Sequence, residues 1–500
     1  MPRPAQCLTG VLGLALMAGT SAPVLADTLE EALIQAYLAN PTLQAARANQ
    51  RATDELVPIE KASGRPDVRA TATHIEFVKT SPNSFTAPSR TLSVGPDLTV
   101  PIYSGGAVKN AVRAAEETVE AGQADLRATE SAIFSQVVAA YMDVMRNEAV
   151  VGLSRNQVEV LSVNLEATQD RFEIGDLTRT DIAQSQSRLA LAQSDLRSSE
   201  ANLIAARETY IQLVGEAPTN LQSPPPLPNL PDTATSAVAT ALENNPDLIA
   251  ARNRADAAGF EIEVAGAGRL PTVNIFSGAE YRDFYGTLGS GTPVAGTGFS
   301  QSETTAQVGV QVNIPIFQGG RPAALQRRAT AQATAALEQM IAAERDVIAQ
   351  TRAAFSSYLA SLAIIESGQV AVAAAELSLE GTRAENSIGN RTVLDVLNAE
   401  QELVSARVQL VTARRNAYVA GFSLLAAMGL AEARDLGLGD GTPLYDPQVN
   451  YRRVEGKWWD FDRDGDPAAG STSTVDIPAP DASIPAIGPT DYRTPRVIRQ

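Results

Sequence analysis

A repeated hexapeptide sets the terms for this chain of 500 residues. Pro101-Ile102-Tyr103-Ser104-Gly105-Gly106 returns 214 residues later as Pro315-Ile316-Phe317-Gln318-Gly319-Gly320. At the same spacing Ile174-Gly175-Asp176-Leu177-Thr178 becomes Ile388-Gly389-Asn390-Arg391-Thr392, and Asp181 becomes Asp395. Asn40-Pro41 matches Asn245-Pro246 at a spacing of 205, and Arg65-Pro66 loosely matches Arg269-Leu270-Pro271. The difference between the two spacings falls where the second copy carries the Gly-rich stretch Gly286 to Gly298. Self-similarity of this kind implies one body made of two like halves, not the several unrelated domains that length alone would suggest.

Composition narrows the function classes. The net charge is -17 and the pI about 4.7. That balance argues against nucleic acid as a partner, because phosphate binding needs clustered Lys and Arg. Aromatic residues are only 5% of the chain, low for a compact globular core. Ala, Gln, Ser, Thr and Leu dominate the long middle stretches, which suits long helices packed closely. The N-terminus reads as an export signal: Arg3, the apolar run Val11 to Ala18, then Val24-Leu25-Ala26 as the cleavage site. The exported chain is expected to begin at Asp27. The single Cys, Cys7, precedes the apolar run, so neither a lipid-bearing N-terminal Cys nor a disulfide is expected after cleavage. No apolar run of about 18 residues follows Ala26, so any membrane span must be made of strands.

Two stretches, 102–217 and 323–442, lack proline entirely. Each starts after the Pro-Ile-aromatic unit and has a Gly near its middle, Gly175 or Gly389, so each reads as a helical hairpin. Residues 107–172 would make a helix roughly 99 Å long at 1.5 Å per residue. Ile182, Leu189, Leu196, Leu203 and Tyr210 fall every seven residues after the first turn; Val396, Leu403, Leu410, Ala417 and Leu424 do so after the second. Before the turns the same period runs through Val112, Val119, Leu126 and Ile133, and through Ile341, Ile348, Phe355 and Leu362. A sustained heptad implies coiled-coil packing. The neighbouring seam (Ser185, Ala192, Ser199, Ala206) is small, and the remaining faces are polar. That pattern fits a sheet of helices wet on both sides and dry between neighbours.

Strand candidates lie between the helical parts. From Thr305 to Phe317, Ala306, Val308, Val310, Val312, Ile314 and Ile316 face one way, and Gln307, Gly309, Gln311 and Asn313 the other. Thr272 to Gly286, Val68 to Lys79 and Leu92 to Tyr103 complete two hairpins. Ten residues is the length a tilted membrane strand requires. Two readings stand at this point: hairpins packed on the protein's own body, or hairpins in a membrane. In the second, four strands cannot close a barrel and an open edge cannot sit in lipid, so several chains must share one barrel.

These residues resemble the TolC family of outer-membrane export channels over about 28–430. The resemblance rests on the duplicated halves and on Asn40-Pro41 after the short amphipathic helix with Leu29, Ala32, Leu33 and Ala36. It rests also on the Pro-Ile-Tyr-Ser-Gly-Gly unit and on the turn segments Arg171 to Gly175 and Ile388 to Leu397. It implies a mainly α chain with a β membrane part: a homotrimer, four strands per chain in a shared twelve-strand barrel, and long helices forming a coiled-coil tunnel through the periplasm of a Gram-negative bacterium. It implies a gate at the periplasmic helix tips. By position the ring residue is Asp395, and Arg391 pairs with Asp181 of a neighbouring hairpin. The second ring position holds Asn398, and a Tyr common before the second-turn Gly is replaced by Asn386. Ile174, Gly175, Asp176, Leu177, Ile388, Gly389 and Asn390 are then candidate docking points for a periplasmic adaptor, with an inner-membrane ABC or proton-driven transporter supplying energy.

The expected order is a signal peptide over 1–26, then a first repeat over 27–235 with a β-hairpin at about 68–103 and a helical hairpin at about 106–214. A second repeat follows over 236–430, with hairpins at about 272–317 and 321–428, and then an irregular, largely disordered tail over 431–500. In the tail, Asp460 to Asp466 begins like a calcium loop, but Ser471 stands at the twelfth position and Pro467 interrupts, so an acidic turn is expected. Trp458-Trp459 is expected to pack the tail against the body, not to sit at a bilayer interface. With His74 as the only His, neither a zinc site nor a His-based triad is available. No phosphate-binding loop occurs. No cofactor, metal or enzymatic activity is expected. The function expected is a passive exit duct for a secreted protein (type I secretion) or for small toxic molecules (multidrug efflux), with the acidic tail leaning toward the former. The rivals are a periplasmic or surface coiled-coil structural protein without a pore, and the adaptor itself.

Overall fold

The computed structural model describes residues 28–79, 88–288, 299–438 and 443–484. The expected signal peptide, most of the two strand-connecting loops and the last residues of the tail lie outside them. In chain order come α1 (Leu29–Ala39), α2 (Pro41–Asp54), α3 (Leu56–Ala62), β1 (Asp67–Glu76), β2 (Arg90–Tyr103), α4 (Ala107–Glu173) and α5 (Arg179–Val214). The second half gives α6 (Ala234–Asn244), α7 (Pro246–Ala267), β3 (Thr272–Asp283), β4 (Ser302–Asn313), α8 (Arg321–Ser387) and α9 (Val393–Ala427), and α10 (Pro447–Val454) follows.

The four strands form one antiparallel sheet in the order β1-β2-β3-β4, so β1 and β4 are its edges. Register places Val68, Leu98, Val100, Ile275, Val308 and Val310 on one face, while Arg69, Asp97, Asn274, Gln307 and Gln311 share the other. β4 ends at Asn313, four residues short of the expected Phe317. Pro315 has no N–H to give a ladder, which stops the strand there. On the polar face the Phe276 ring lies directly against Gly309, where any side chain would collide with it.

Each half passes from sheet to helix through two glycines in the left-handed region, Gly105 and Gly106 at φ 66° and 85°, Gly319 and Gly320 at 61° and 81°. Only glycine adopts two such conformations in succession without steric cost. That is the reason for the repeated Gly-Gly. The helices α4 and α8 that follow are each 67 residues long, roughly 100 Å. Toward the sheet, α7 packs between α4 and α8; away from it, α9 takes that place and α5 lies on the far side of α4. The small seam is buried, with Ser185, Ala192, Ser199 and Ala206 all facing inward from α5.

The two Asn-Pro pairs explain how the two levels join. Asn40 Oδ1 accepts from the N–H groups of Thr42 and Leu43, capping α2, while its Nδ2 donates to Leu213 O near the end of α5 at 2.9 Å. Asn245 repeats this for α7 and donates to Ala427 O of α9 at 2.9 Å. One side chain thus satisfies the starting donors of one helix and an orphan carbonyl of another. Pro at the next position costs nothing, because that N–H lacks a partner anyway.

The main core lies at this level. Phe134, Tyr141, Leu203, Tyr210, Phe422 and Leu424 are fully or almost fully buried where α1, α4, α5 and α9 meet. The residues after α9 are bound here too. Arg127 Nε donates to Glu432 at 2.7 Å, and the Ala433 N–H donates to Glu130 at 2.6 Å. The expected irregular tail is corrected in part. α10 packs on α2, Asn450 donates to Asp54 at 2.6 Å, and Arg207 of α5 donates to the carbonyls of Asp481 and Ser483 at 2.7 and 2.8 Å. These contacts order the tail because it offers backbone acceptors to an arginine that is otherwise buried. The tryptophans are a second correction: Trp458 and Trp459 are largely exposed and do not pack on the body.

Burial pushes the Glu130 carboxyl above its ordinary range; the Ala433 N–H opposes this and the nearby Glu432 charge reinforces it. A raised carboxyl costs stability above its folded pKa, and the cost vanishes below the unfolded value. Glu130→Gln should therefore raise the stability at neutral pH by an amount on the order of 1 kcal/mol, and the thermal midpoint with it. The gain should disappear below about pH 4, where the carboxyl is protonated in both states. Melting curves at the two pH values check both the sign and the window.

Candidate functional site at the hairpin tips

Both helical hairpins end alike, for the same local reasons. At the first tip Gly175 stands at φ 84°, and the Asp176 N–H donates to Arg171 O at 2.9 Å. At the second, Gly389 stands at φ 81° and the Asn390 N–H donates to Glu385 O at 2.9 Å. Glycine in the left-handed region after the last helical turn is the usual helix stop. The return helices start on capping boxes. Thr178 donates its N–H and hydroxyl to Asp181 at 2.8 and 2.7 Å. Thr392 does the same to Asp395 at 3.0 and 2.7 Å, and the Asp395 N–H donates back to Thr392 Oγ1 at 3.2 Å.

These bonds set the charge state. The Thr178 N–H, then its hydroxyl, hold the Asp181 carboxyl below the usual range. The Thr392 hydroxyl, then its N–H, do so for Asp395. Two carboxylates, each ionised, therefore stand at the start of α5 and α9, where the helix dipole also favours them.

Arg391 and Asp181 are not brought together within the chain. Arg391 Nε instead donates to Glu385 at 2.7 Å, and its carbonyl accepts from Asn386 Nδ2 at 2.8 Å. Asn386 thus closes its own turn, where the family pattern has Tyr. Asn398 is one turn along α9 from Asp395 and accepts from Arg188 Nη2 of α5 at 2.7 Å. Of the apolar tip residues, Ile174 and Ile388 are 81% and 71% exposed, whereas Leu177 is half-buried. Asp176 is also engaged, in an ion pair with Arg171 at 3.3 Å.

A second set of residues, absent from the sequence reading, lies just above. Glu400 of α9 has a side chain only 2% exposed. It accepts from Asn164 Nδ2 of α4 at 3.0 and 3.1 Å and from Arg383 Nη2 of α8 at 3.0 Å. Leu161, Ala192 and Leu397 pack together beside it, one each from α4, α5 and α9. The signal that marks these positions is departure from the repeat. Glu400, Arg188, Asn164 and Arg383 correspond to Gln186, Glu402, Ser378 and Gln169 in the other half. The duplication fixes the scaffold, and of the residues that break it Arg188 and Asn164 make contacts between the two hairpins, while Arg383 reaches Glu400 within the second. No group of three or more potential metal ligands occurs among the described residues.

Glu400→Ala would leave Asn164 and Arg383 facing an empty position between three helices. A loss of roughly 2 kcal/mol is expected for the local opening of α9. Amide hydrogen exchange near the second tip should speed up roughly tenfold or more, while the main core around Phe134 and Tyr210 stays protected.

The comparisons with known proteins fall on the same two halves. The model of the outer membrane efflux protein family matches residues 32–216 and 237–430. The chain is similar to outer membrane efflux protein BepC of Brucella suis, 32% identical over 456 residues, covering 91% of this chain and 96% of BepC. It is similar to outer membrane protein TolC of Vibrio cholerae, 25% identical over 421 residues, 83% of this chain and 94% of that protein. In fold it matches the Campylobacter jejuni CmeC outer membrane channel, with a TM-score of 0.70 over 86% of this chain and 89% of the other, at 16% identity. A four-stranded sheet continuous with paired 67-residue helices, matched along nearly its whole length to such channels, makes this an export channel of the outer membrane. The chain belongs to the outer membrane efflux protein family.

Proposed function

We propose that three copies of this chain form one passive duct across the outer membrane and periplasm, gated at the hairpin tips. The observation that carries this reading is the sheet: four strands, apolar on one face, with β1 and β4 each presenting one open edge among the described residues. An edge exposed to lipid leaves N–H and C=O groups with no partner, at several kcal/mol each. Pairing β4 of one copy with β1 of the next removes every edge, and three copies give twelve strands. The helical wall supports the same closure. α8 carries exposed Leu337, Leu359, Ile364, Val370 and Leu377. By length and composition it is the one helix among the described residues apolar enough to cross a membrane. A helix with that face needs an apolar neighbour, and α5 of the next copy supplies one, with Leu191 exposed.

In this reading the three Asp395 carboxylates converge on the axis and attract cations. Asn398 adds no charge to the ring and ties α9 to α5 through Arg188. Arg391 leaves Glu385 to pair with Asp181 of the adjacent copy when the tips close. Exposed Ile174 and Ile388, with Gly175, Asp176, Leu177, Gly389 and Asn390, receive a periplasmic adaptor, and an inner-membrane transporter supplies the energy. For cargo, relatives named for efflux and relatives named for protease secretion both match, so efflux and type I secretion both stand.

Purified protein should migrate as a heat-modifiable oligomer and conduct in planar bilayers. A stable monomer without conductance would overturn the reading. Asp395→Ala should weaken block of single-channel current by multivalent cations; an unchanged block removes Asp395 from the ring. Arg188→Ala should raise the open probability, since it frees α9 from α5 without touching either turn.

A further inference from the structure

The turn after α10 presents aromatic rings to solvent at the foot of the sheet. Trp458, Trp459 and Phe461 are 75%, 62% and 81% exposed. They are grouped, with ring centroids 6.3 Å apart for the two tryptophans and 5.7 Å for Trp459 and Phe461. Their backbone is held. Arg65 Nη1 donates to Lys457 O at 2.5 Å, and the Asp462 N–H donates to Trp459 O at 3.1 Å. Arg65 is two residues from Asp67, the start of β1, a span of roughly 7 Å at most. The apolar face of the sheet begins at Val68. The cluster therefore sits at the level where that face ends.

Charge around the turn suits a headgroup layer. Lys457 pairs with Asp462 at 3.1 Å, and Arg453 pairs with Asp464 at 2.6 Å. Those two acids are the core of the sequence that resembled a calcium loop, and cations of the chain itself occupy them. Asp460 remains between the rings, and at an interface its carboxylate can stay in water. Arg452 and Arg463 are exposed and in no ion pair among the described residues, available to lipid phosphates.

We propose that the turn Trp458 to Phe461 is an interfacial anchor, its rings inserted among the headgroups of the periplasmic leaflet of the outer membrane. Amphipathic rings favour that layer, where an apolar body and an N–H are both satisfied. A surface cluster of three large rings is otherwise costly to keep in water. The anchor would fix the depth of the duct from outside the barrel, by a segment belonging to neither repeat.

The chain has only two tryptophans, so its emission reports this turn alone. The whole protein is reconstituted into phosphatidylcholine vesicles and taken in its heat-modifiable form, so failed assembly is seen separately. With lipid brominated on the acyl chain near the carbonyl, most of the emission should be lost, and acrylamide should quench weakly. Strong acrylamide quenching without bromolipid quenching would place the rings in water and overturn the proposal. Protection from both quenchers would place them against another protein surface, a neighbouring copy included, and would overturn it too.

Discussion

A hydrogen-bonding edge that has no water is the constraint from which this architecture follows. The sheet of one chain has two such edges, and nothing among the described residues covers them. Apolar residues line one face and polar residues the other, so the sheet suits a boundary between lipid and an aqueous lumen and suits little else. The long helices inherit the same incompleteness. α8 carries a row of exposed apolar side chains, Leu337, Leu359, Ile364, Val370 and Leu377, and α5 exposes Leu191. In the proposed trimer one neighbour would meet both the open strand edge and the exposed face of α8.

Much of this was legible in the residues. The spacing of 214 located both helical hairpins, and the period of seven gave their packing mode. The Gly-Gly pairs and turn glycines marked where the backbone must enter the left-handed region. What periodicity could not give was the pairing of polar side chains, within a tip or between hairpins. Arg391 meets Glu385 six residues before it, and Arg188 meets Asn398 more than two hundred residues away. Neither distance is implied by a heptad, because side-chain reach across a helical wall depends on the stagger of the helices and not on their repeat. Glu400 shows this most clearly. A carboxylate on a coiled-coil helix reads as solvated, yet it is buried because two donors from other helices converge on it. Of the described tail, 455–484 is irregular as expected, while α10 and the contacts to Arg207 and Asp54 are features that composition could not reveal.

The tip carboxylates carry two duties at once. Asp181 and Asp395 each stabilise the start of a return helix through a capping box, and in the proposed trimer Asp395 would also bring its negative charge to the axis. The cap keeps the carboxylate ionised and its rotamer fixed, so a charged ring would be preorganised without further support. Substituting either residue would disturb helix initiation and charge together, which is why ion block and local stability have to be read separately.

The asparagine joints have a mechanical meaning. At each of them one helix begins where another ends, joined by the asparagine side chain with no peptide bond between the two ends. Load along such a column passes through an amide clamped to a carbonyl. Torque is resisted only by the packing around it. The columns of α2 on α5 and of α7 on α9 are therefore stiff in compression and compliant in twist, whereas α4 and α8 run through as unbroken rods. A wall that alternates rods with jointed columns can rotate its lower half by shear between neighbours while its upper half stays clamped to the sheet.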